Sequence, residues 1–483
     1  MRPVDAFMMV AVPKEGEESK AFEALLVEAV KMHRHGFTES ELERAKLNLI
    51  SNYEKAFNER GKTKNQSYVD EYVRNFLDFS PVPGIEWEYE TVKEMMPMMT
   101  LDLVNNVAKG FVTDDNMVVL MSGPQKDEVK FPTTEKIREM ISNVKNAEIN
   151  GYEEKKLDSN LIGKRLKPRS VKKSTNNMAI EGVTEWILGN GMKVVLQPTK
   201  LKDDEILIYG YSKGGTSKVN DVNDLASASM CTSIASNNGM GHLNLIDLNK
   251  VLAGKYATLR PTVGMYEESF SGNSTVKDFE TLLQLVYLTF KGTRKDDDSF
   301  TALMNQYKVS LSNSANDPSR AFQDTIRTMV ANRHERSFSM NLKKLKEVSQ
   351  EKALKIFDER FEDPKDFTVY LVGNIDLDSI RPLVEKYMGG IPKKRKMKVE
   401  DWTDRGVRTP KGYAENRFEK EMQVEKTSNF VLYSGIFDYS LKNSLTLNLI
   451  ADILDIRYLE SMREEEGGTY GVSVRSSLTR IPE

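Results

Sequence analysis

The sequence predicts an α+β fold, with mixed or antiparallel sheets flanked by helices. Strand-like apolar runs alternate with helical runs but also fall in adjacent pairs, as at Met192–Gln197 and Ile206–Tyr211, which disfavours a doubly wound parallel sheet. A weak internal repeat points the same way. Phe111 to Gly123 and Phe361 to Gly373 each pass from Phe through acidic residues and an apolar run to Gly at the same spacing, the mark of a duplicated unit and not of a solenoid. Finally, 483 residues exceed what one core can organise, so several domains are expected.

Taken in order, Ala6–Val12 reads as a buried strand, followed by a charged turn at Lys14–Glu18. Ala21, Phe22, Leu25, Leu26, Ala29 and Val30 recur at helical spacing until Gly36. Thr38-Glu39-Ser40-Glu41 is a capping box, in which hydroxyl and carboxylate satisfy each other's free N–H groups. The helix it opens carries Leu42, Ala45, Leu49 and Tyr53 on one face. A helix at Gln66–Phe79, the Pro81–Gly84 turn, a helix capped by Thr100 and a strand at Met117–Met121 follow. Residues 125–182 are polar and read as a connector, helical at Thr134–Val144. A new domain opens near Trp186 with the two strands named above, helices at Leu282–Phe290 and Phe300–Leu311, a strand at Phe367–Val372 and a helix at Asp376–Tyr387. After the basic link Lys393–Lys398 come a strand at Phe430–Tyr433, a long helix using Leu445, Leu449, Ile453, Ile456 and Leu459, and a strand at Tyr470–Leu478. These boundaries give domains at 1–124, 184–392 and 393–483, with 125–183 as connector. The chain opens and closes almost inside predicted strands, so a fragment of a longer polypeptide is expected, with short native ends as the alternative.

Composition removes several functions. A net charge of −3 gives no global pull towards nucleic acid or anionic membrane, and no apolar run is long enough to span a bilayer. The one cysteine, Cys231, forms no internal disulfide and no Cys-based zinc site. The four histidines are His33, His35, His242 and His334, and neither H-E-x-x-H nor H-x-x-E-H occurs. The low cysteine usage fits the periplasm or the cytosol, with the reading leaning to the periplasm.

Four features invite chemistry. His33-Arg34-His35 precedes Gly36, where cations complement a helix C-terminus, and that role is favoured over metal binding because i and i+2 face different sides. Met95, Met96, Met98 and Met99 lack an accompanying His or Cys and read as core gap-fillers. Lys155–Lys173 holds eight basic residues and only Asp158 against them, without interleaved aromatics, and reads as a solvated linker and not a nucleic-acid site. Arg463-Glu-Glu-Glu-Gly-Gly-Thr-Tyr470 joins a helix to a strand through two glycines. Both Arg463 and Tyr470 donate hydrogen bonds and can together hold a carbonyl oxygen or an oxyanion; on spacing alone, capping by Arg463 and packing by Tyr470 is the simpler reading.

Three pieces resemble the pitrilysin/insulinase family of zinc metallopeptidases. They are Gly36-Phe-Thr-Glu-Ser-Glu-Leu-Glu-Arg-Ala-Lys46, similar to a stretch of the family's second domain; Leu188-Gly-Asn-Gly-Met-Lys-Val-Val-Leu196, similar to the opening strand of each half; and Arg463 to Tyr470, similar to the Arg-x6-Tyr element of the last domain. The resemblance implies LuxS/mitochondrial-processing-peptidase-like domains, four in all, in two halves closing like a clamshell on a peptide. It implies that the zinc-bearing N-terminal domain lies outside this chain, where zinc activates water and a Glu is general base. Ser227-Ala-Ser-Met-Cys231 stands where the zinc motif is expected in domain three. The expectation is a substrate-binding, metal-free portion of a zinc metalloendopeptidase, inactive alone, with Arg463 and Tyr470 on the scissile carbonyl. Its expected partners are a peptide substrate and the missing N-terminal domain, with no nucleic acid and no membrane span. The alternative is a noncatalytic processing-type subunit or peptide-binding protein whose parent lacks zinc.

Overall fold

The computed structural model describes residues 6–13, 16–113, 115–123, 130–154, 157–314, 317–393, 400–422, 425–469 and 471–480. They fall into two compact units, Met1–Asn313 with Leu342–Thr403, and Ser314–Asn341 with Asp404–Glu483.

The first unit begins with six helices: α1 Glu18–His35, α2 Glu39–Asn58, α3 Asn65–Asp78, α4 Ile85–Met95, α5 Leu101–Lys109 and α6 Thr134–Asn146. Local chemistry sets their starts. At α2 the Thr38 hydroxyl accepts from the Glu41 N–H while Glu41 Oε2 accepts from the Thr38 N–H at 2.8 Å, the reciprocal capping box. Thr100 and Thr133 cap α5 and α6 in the same way on one side. The His33–His35 trio does more than complement its own helix dipole. His33 Nδ1 donates to the Lys109 carbonyl at 3.1 Å, Arg34 to Ala147 at 2.7 Å and His35 Nε2 to Ile149 at 2.6 Å, so it pins the end of α1 to the ends of α5 and α6.

Seven strands follow: β1 Val171–Asn176, β2 Thr184–Leu188, β3 Lys193–Pro198, β4 Ile206–Lys213, β5 Ala257–Val263, β6 Glu267–Ser274 and β7 Thr368–Gly373. They form one sheet in the order β1-β2-β3-β7-β4-β6-β5, antiparallel except for β3 beside β7. The accompanying helices are α7 Leu225–Asn237, α8 Leu245–Val251, α9 Phe279–Thr289, α10 Asp297–Ser314, α11 Pro318–Val330 (in the second unit), α12 Leu342–Leu345, α13 Gln350–Arg360 and α14 Leu377–Tyr387; α15, Leu441–Tyr458, belongs to the second unit. Burial alternates along β4, with Ile206, Ile208, Gly210 and Ser212 inside and Leu207 and Tyr209 exposed. The inner face meets a core of stacked and edge-on rings from Phe270, Phe290, Phe361 and Phe367. Gly210 permits this core, because a Cβ there would come within 2.2 Å of the Phe270 ring. The end of α2 is tied to the sheet by Asn58 donating to Asp204 at 2.8 Å and by Lys55 Nζ 3.4 Å above the Tyr256 ring.

Several sequence expectations need correction. No strand forms among the described residues at 6–12, 117–121, 430–433 or 471–478, and Val118 and Leu120 there are 88% and 89% exposed. A strand's hydrogen bonds must come from a neighbour, and none of these runs has one among the described residues, whereas a helix bonds within itself. The repeat therefore holds as a strand only at Thr368–Gly373. The connector is not solvated throughout, since Val171–Asn176 pairs with β2 and Arg169 donates to the Ile391 carbonyl at 2.6 Å. Lys155, Lys156 and 394–398 lie outside the described residues. The methionine cluster is not core, with Met95 and Met98 45% and 66% exposed. The long helix α15 forms, capped by Ser440, but its stripe of Leu445, Leu449, Ile453 and Ile456 is exposed.

Candidate functional site

In the second unit, α15 passes into a π-helical turn, Leu459–Glu465, which holds Arg463. The turn closes at Gly467, whose φ of 62° lies in the left-handed region open to glycine at little cost. The Gly468 N–H returns to the Met462 carbonyl at 3.0 Å. Beyond it the chain runs back beside α15, with the Val474 N–H on Asp455 at 2.7 Å, Ser476 on Asn448 at 2.8 Å and Arg480 4.4 Å from the Tyr439 ring centre. The reversal is thus fastened by polar contacts and not by a β-ladder. Arg463 is exposed, with Nε 3.5 Å from its neighbour Glu464. Tyr470 lies outside the described residues.

In the first unit, the segment Ser227–Cys231 lies on α7. Ser227, Ala228, Met230 and Cys231 are buried, and Ser227 Oγ accepts the Ser349 N–H at 2.9 Å, which ties α7 to the start of α13. Burial pushes the Cys231 thiol up to about 11, so it stays protonated at neutral pH and is neither nucleophile nor ready ligand. These residues do not fit a zinc ion, which needs imidazole, thiolate or carboxylate donors converging on one point. Among the described residues no group of three or more His, Cys, Asp and Glu side chains is placed to hold a metal.

Two features near α7 escaped the sequence. One is a buried charged network. Glu268 on β6 is 1% exposed and accepts the Gly215 N–H at 2.7 Å, while Arg360 at the end of α13 pairs with Glu400 at 3.2 Å. Burial pushes the Glu268 carboxyl up to about 7, against the opposing pull of the Gly215 N–H, the Ser212 hydroxyl and Arg360. The same network fixes segment 400–403 on the unit. Thr403 N–H bonds Ser217 at 2.9 Å, Lys218 Nζ bonds the Asp401 carbonyl at 3.1 Å, and Trp402 meets Tyr266 edge-on. Distant charges of this kind leave no trace in local spacing.

The other is a groove of about 1050 Å³ along the outer margin of β5, walled by α7, α8 and α10. It is lined by Leu248, Leu285 and Leu303, by small polar groups such as Ser236, and by Tyr307. The sequence itself alternates there, Ala257, Leu259, Pro261 and Val263 against Thr258, Arg260 and Thr262, a period-two signal for β5 weakened by its Arg and Pro.

Residues 348–481 match the family model described as the peptidase M16 inactive domain. A zinc protease PQQL-like protein of Arabidopsis thaliana is 28% identical over 375 residues, which cover 76% of this chain and 36% of that protein. The probable zinc protease PqqL of Haemophilus influenzae is 20% identical over 476 residues, covering 94% of this chain and 48% of its own. The crystal structure of the periplasmic protease PqqL from Escherichia coli shares the fold with a TM-score of 0.58 at 17% identity, over 96% of this chain and 51% of that one. The chain spans about half the length of these bacterial relatives and about a third of the plant one. No helix among the described residues is long and apolar enough to cross a membrane.

Proposed function

We propose that the chain, whose residues 348–481 match the peptidase M16 inactive domain, is of the pitrilysin/insulinase family and is the substrate-binding, metal-free portion of a zinc metalloendopeptidase. The match of residues 348–481 to the inactive domain carries this reading, and both Arg463 and Tyr470 fall within it. The zinc of such a peptidase is held by residues outside this chain, and no step through it is assigned to residues here. The organisation we propose keeps a partial second domain at 1–124, a connector at 125–183, a degenerate third domain at 184–392 and a fourth from 393. The compartment we propose is the periplasm, where the Escherichia coli relative resides.

In this reading Arg463 and the Tyr470 hydroxyl donate to the scissile carbonyl oxygen and strengthen as it gains negative charge. The exposure of Arg463 and its loose pairing with Glu464 leave the guanidinium available for that role. The test is made on the full-length protein. Tyr470→Phe is expected to lower kcat by about 10²–10³-fold, the cost of one oxyanion donor, with the fold and KM little changed. Unaltered peptide hydrolysis would refute the assignment. The match to an inactive domain also favours a second reading, a noncatalytic processing-type subunit. A full-length protein without stoichiometric zinc and without hydrolysis would establish that reading instead.

A further inference from the structure

We propose that the outer margin of β5 takes up a short extended polypeptide segment as an eighth strand, with an acidic residue of that segment flanked by apolar ones. The inference rests on the peptide-binding part of the reading above but places a subsite in the first unit, remote in the chain from Arg463.

The margin is open. β5 ends the sheet order, and no other described strand pairs with its outer side. In β5 the even residues turn their N–H and C=O inward, as the Thr275 N–H on the Tyr256 carbonyl and the Gly264 N–H on the Glu267 carbonyl show for the flanking positions. The odd residues therefore turn theirs outward. Val263 confirms the parity, since its N–H leaves the sheet to meet the Thr232 hydroxyl of α7 at 3.0 Å. Pro261 has no N–H, and proline is tolerated in a strand where that group would face away from the ladder. Outward hydrogen bonding thus rests on the N–H groups of Ala257 and Leu259 and the carbonyls of Ala257, Leu259 and Pro261. That row is long enough for an added strand of about four or five residues.

The groove beside this row supplies selectivity. An added strand places alternate side chains on opposite faces. Residues opposite Leu259 and Pro261 point to the helical side, where Leu248, Leu285 and Leu303 form an apolar wall. The residue opposite Arg260 points to the other face. Arg260 is exposed, is the one charged side chain among the described lining residues, and has no ion-pair partner among the described residues. A facing carboxylate is the complementary group, since opposite charges on directly paired residues stabilise a sheet. At about 1050 Å³ the space has room for several side chains in a row.

The probe is a fluorescein-labelled eight-residue peptide with a central Leu-Glu-Leu, compared with its Leu-Lys-Leu version and its all-D version by fluorescence polarisation on the whole chain. Wild type is expected to bind the Glu peptide at least tenfold more tightly than either control. Leu259→Pro, which deletes an outward N–H and spares the ladder to β6, and Ser236→Trp, which fills the groove, are each expected to weaken binding at least tenfold. Arg260→Glu changes an exposed side chain and is expected to reverse the preference to the Lys peptide, which keeps the test decisive if Leu259→Pro fails to fold. Equal binding of the three peptides, no binding by wild type, or an unchanged preference in Arg260→Glu would overturn the proposal. Tyr470→Phe is expected to leave this binding unchanged, so failure of the groove and failure of the carbonyl-binding role are read separately.

Discussion

Glu268 illustrates how one buried carboxyl governs the response to pH. Its value near 7 in the fold lies above the ordinary carboxylate range, so the neutral form is favoured by folding. The stabilisation is complete below the unfolded value, falls as pH rises through about 7, and is absent above it. The loss is about 3 kcal/mol, and Glu268→Gln, neutral at every pH, is expected to flatten the decline between pH 5 and 8 in denaturant titrations. An equal slope in the variant would show that Glu268 is ionised throughout. Gly210 makes a steric prediction. Its backbone is ordinary, but a Cβ would meet the Phe270 ring at 2.2 Å, so Gly210→Ala is expected to cost about 1–3 kcal/mol by overpacking. Phe270→Leu should recover part of that loss in the double variant, and strictly additive changes in Tm would contradict the contact.

At the scale of elements, what the sequence revealed follows from where each element finds its hydrogen bonds. Helices α2, α3, α5, α6, α9, α10 and α14 were legible because caps such as Thr38 and Thr100 and their apolar spacing act locally. Strands β3, β4 and β7 were legible because they sit mid-sheet with apolar alternation and partners on both sides. Strands β5 and β6 were missed, since Arg260 and Pro261 in one and Ser271, Gly272 and Asn273 in the other carry weak strand propensity, and their pairing through a tight hairpin supplies what propensity does not. Ala6–Val12, Met117–Met121 and Phe430–Tyr433 failed in the opposite sense, with strand propensity but no ladder. The groove and the Glu268 network were illegible because they join residues far apart in sequence; of Arg463 and Tyr470, only the motif could be read. Limited proteolysis with thermolysin is expected to cut first within 6–13, 117–123 and 425–439, where apolar side chains are exposed and no ladder forms, and to spare β2–β7. Early cleavage within any of the strands β2 to β7 would contradict the hierarchy.

At the scale of the whole molecule, a chain about half as long as its bacterial relatives is expected to show a partial phenotype. Purified alone, it should retain less than a tenth of an equivalent of zinc after dialysis and hydrolyse no unstructured peptide, as elemental analysis and a quenched-fluorescence assay would show. Stoichiometric tight zinc would sink that expectation. The two borders of the sheet also bear on how the molecule behaves in a crowd of its own kind. An open row of backbone groups invites copies to stack into fibres. Here one border ends in Pro261 and a hydroxyl-capped Val263, so any visiting strand stops after a few residues. The other, β1, has an irregular register between Val171 and Lys173 and shows the exposed charges of Lys172 and Lys173. The basic run that resembled a bare linker thus puts two exposed charges on a sheet border: exchanging those two lysines for valines is expected to turn a self-limiting border into a template for filaments, as thioflavin T fluorescence would show.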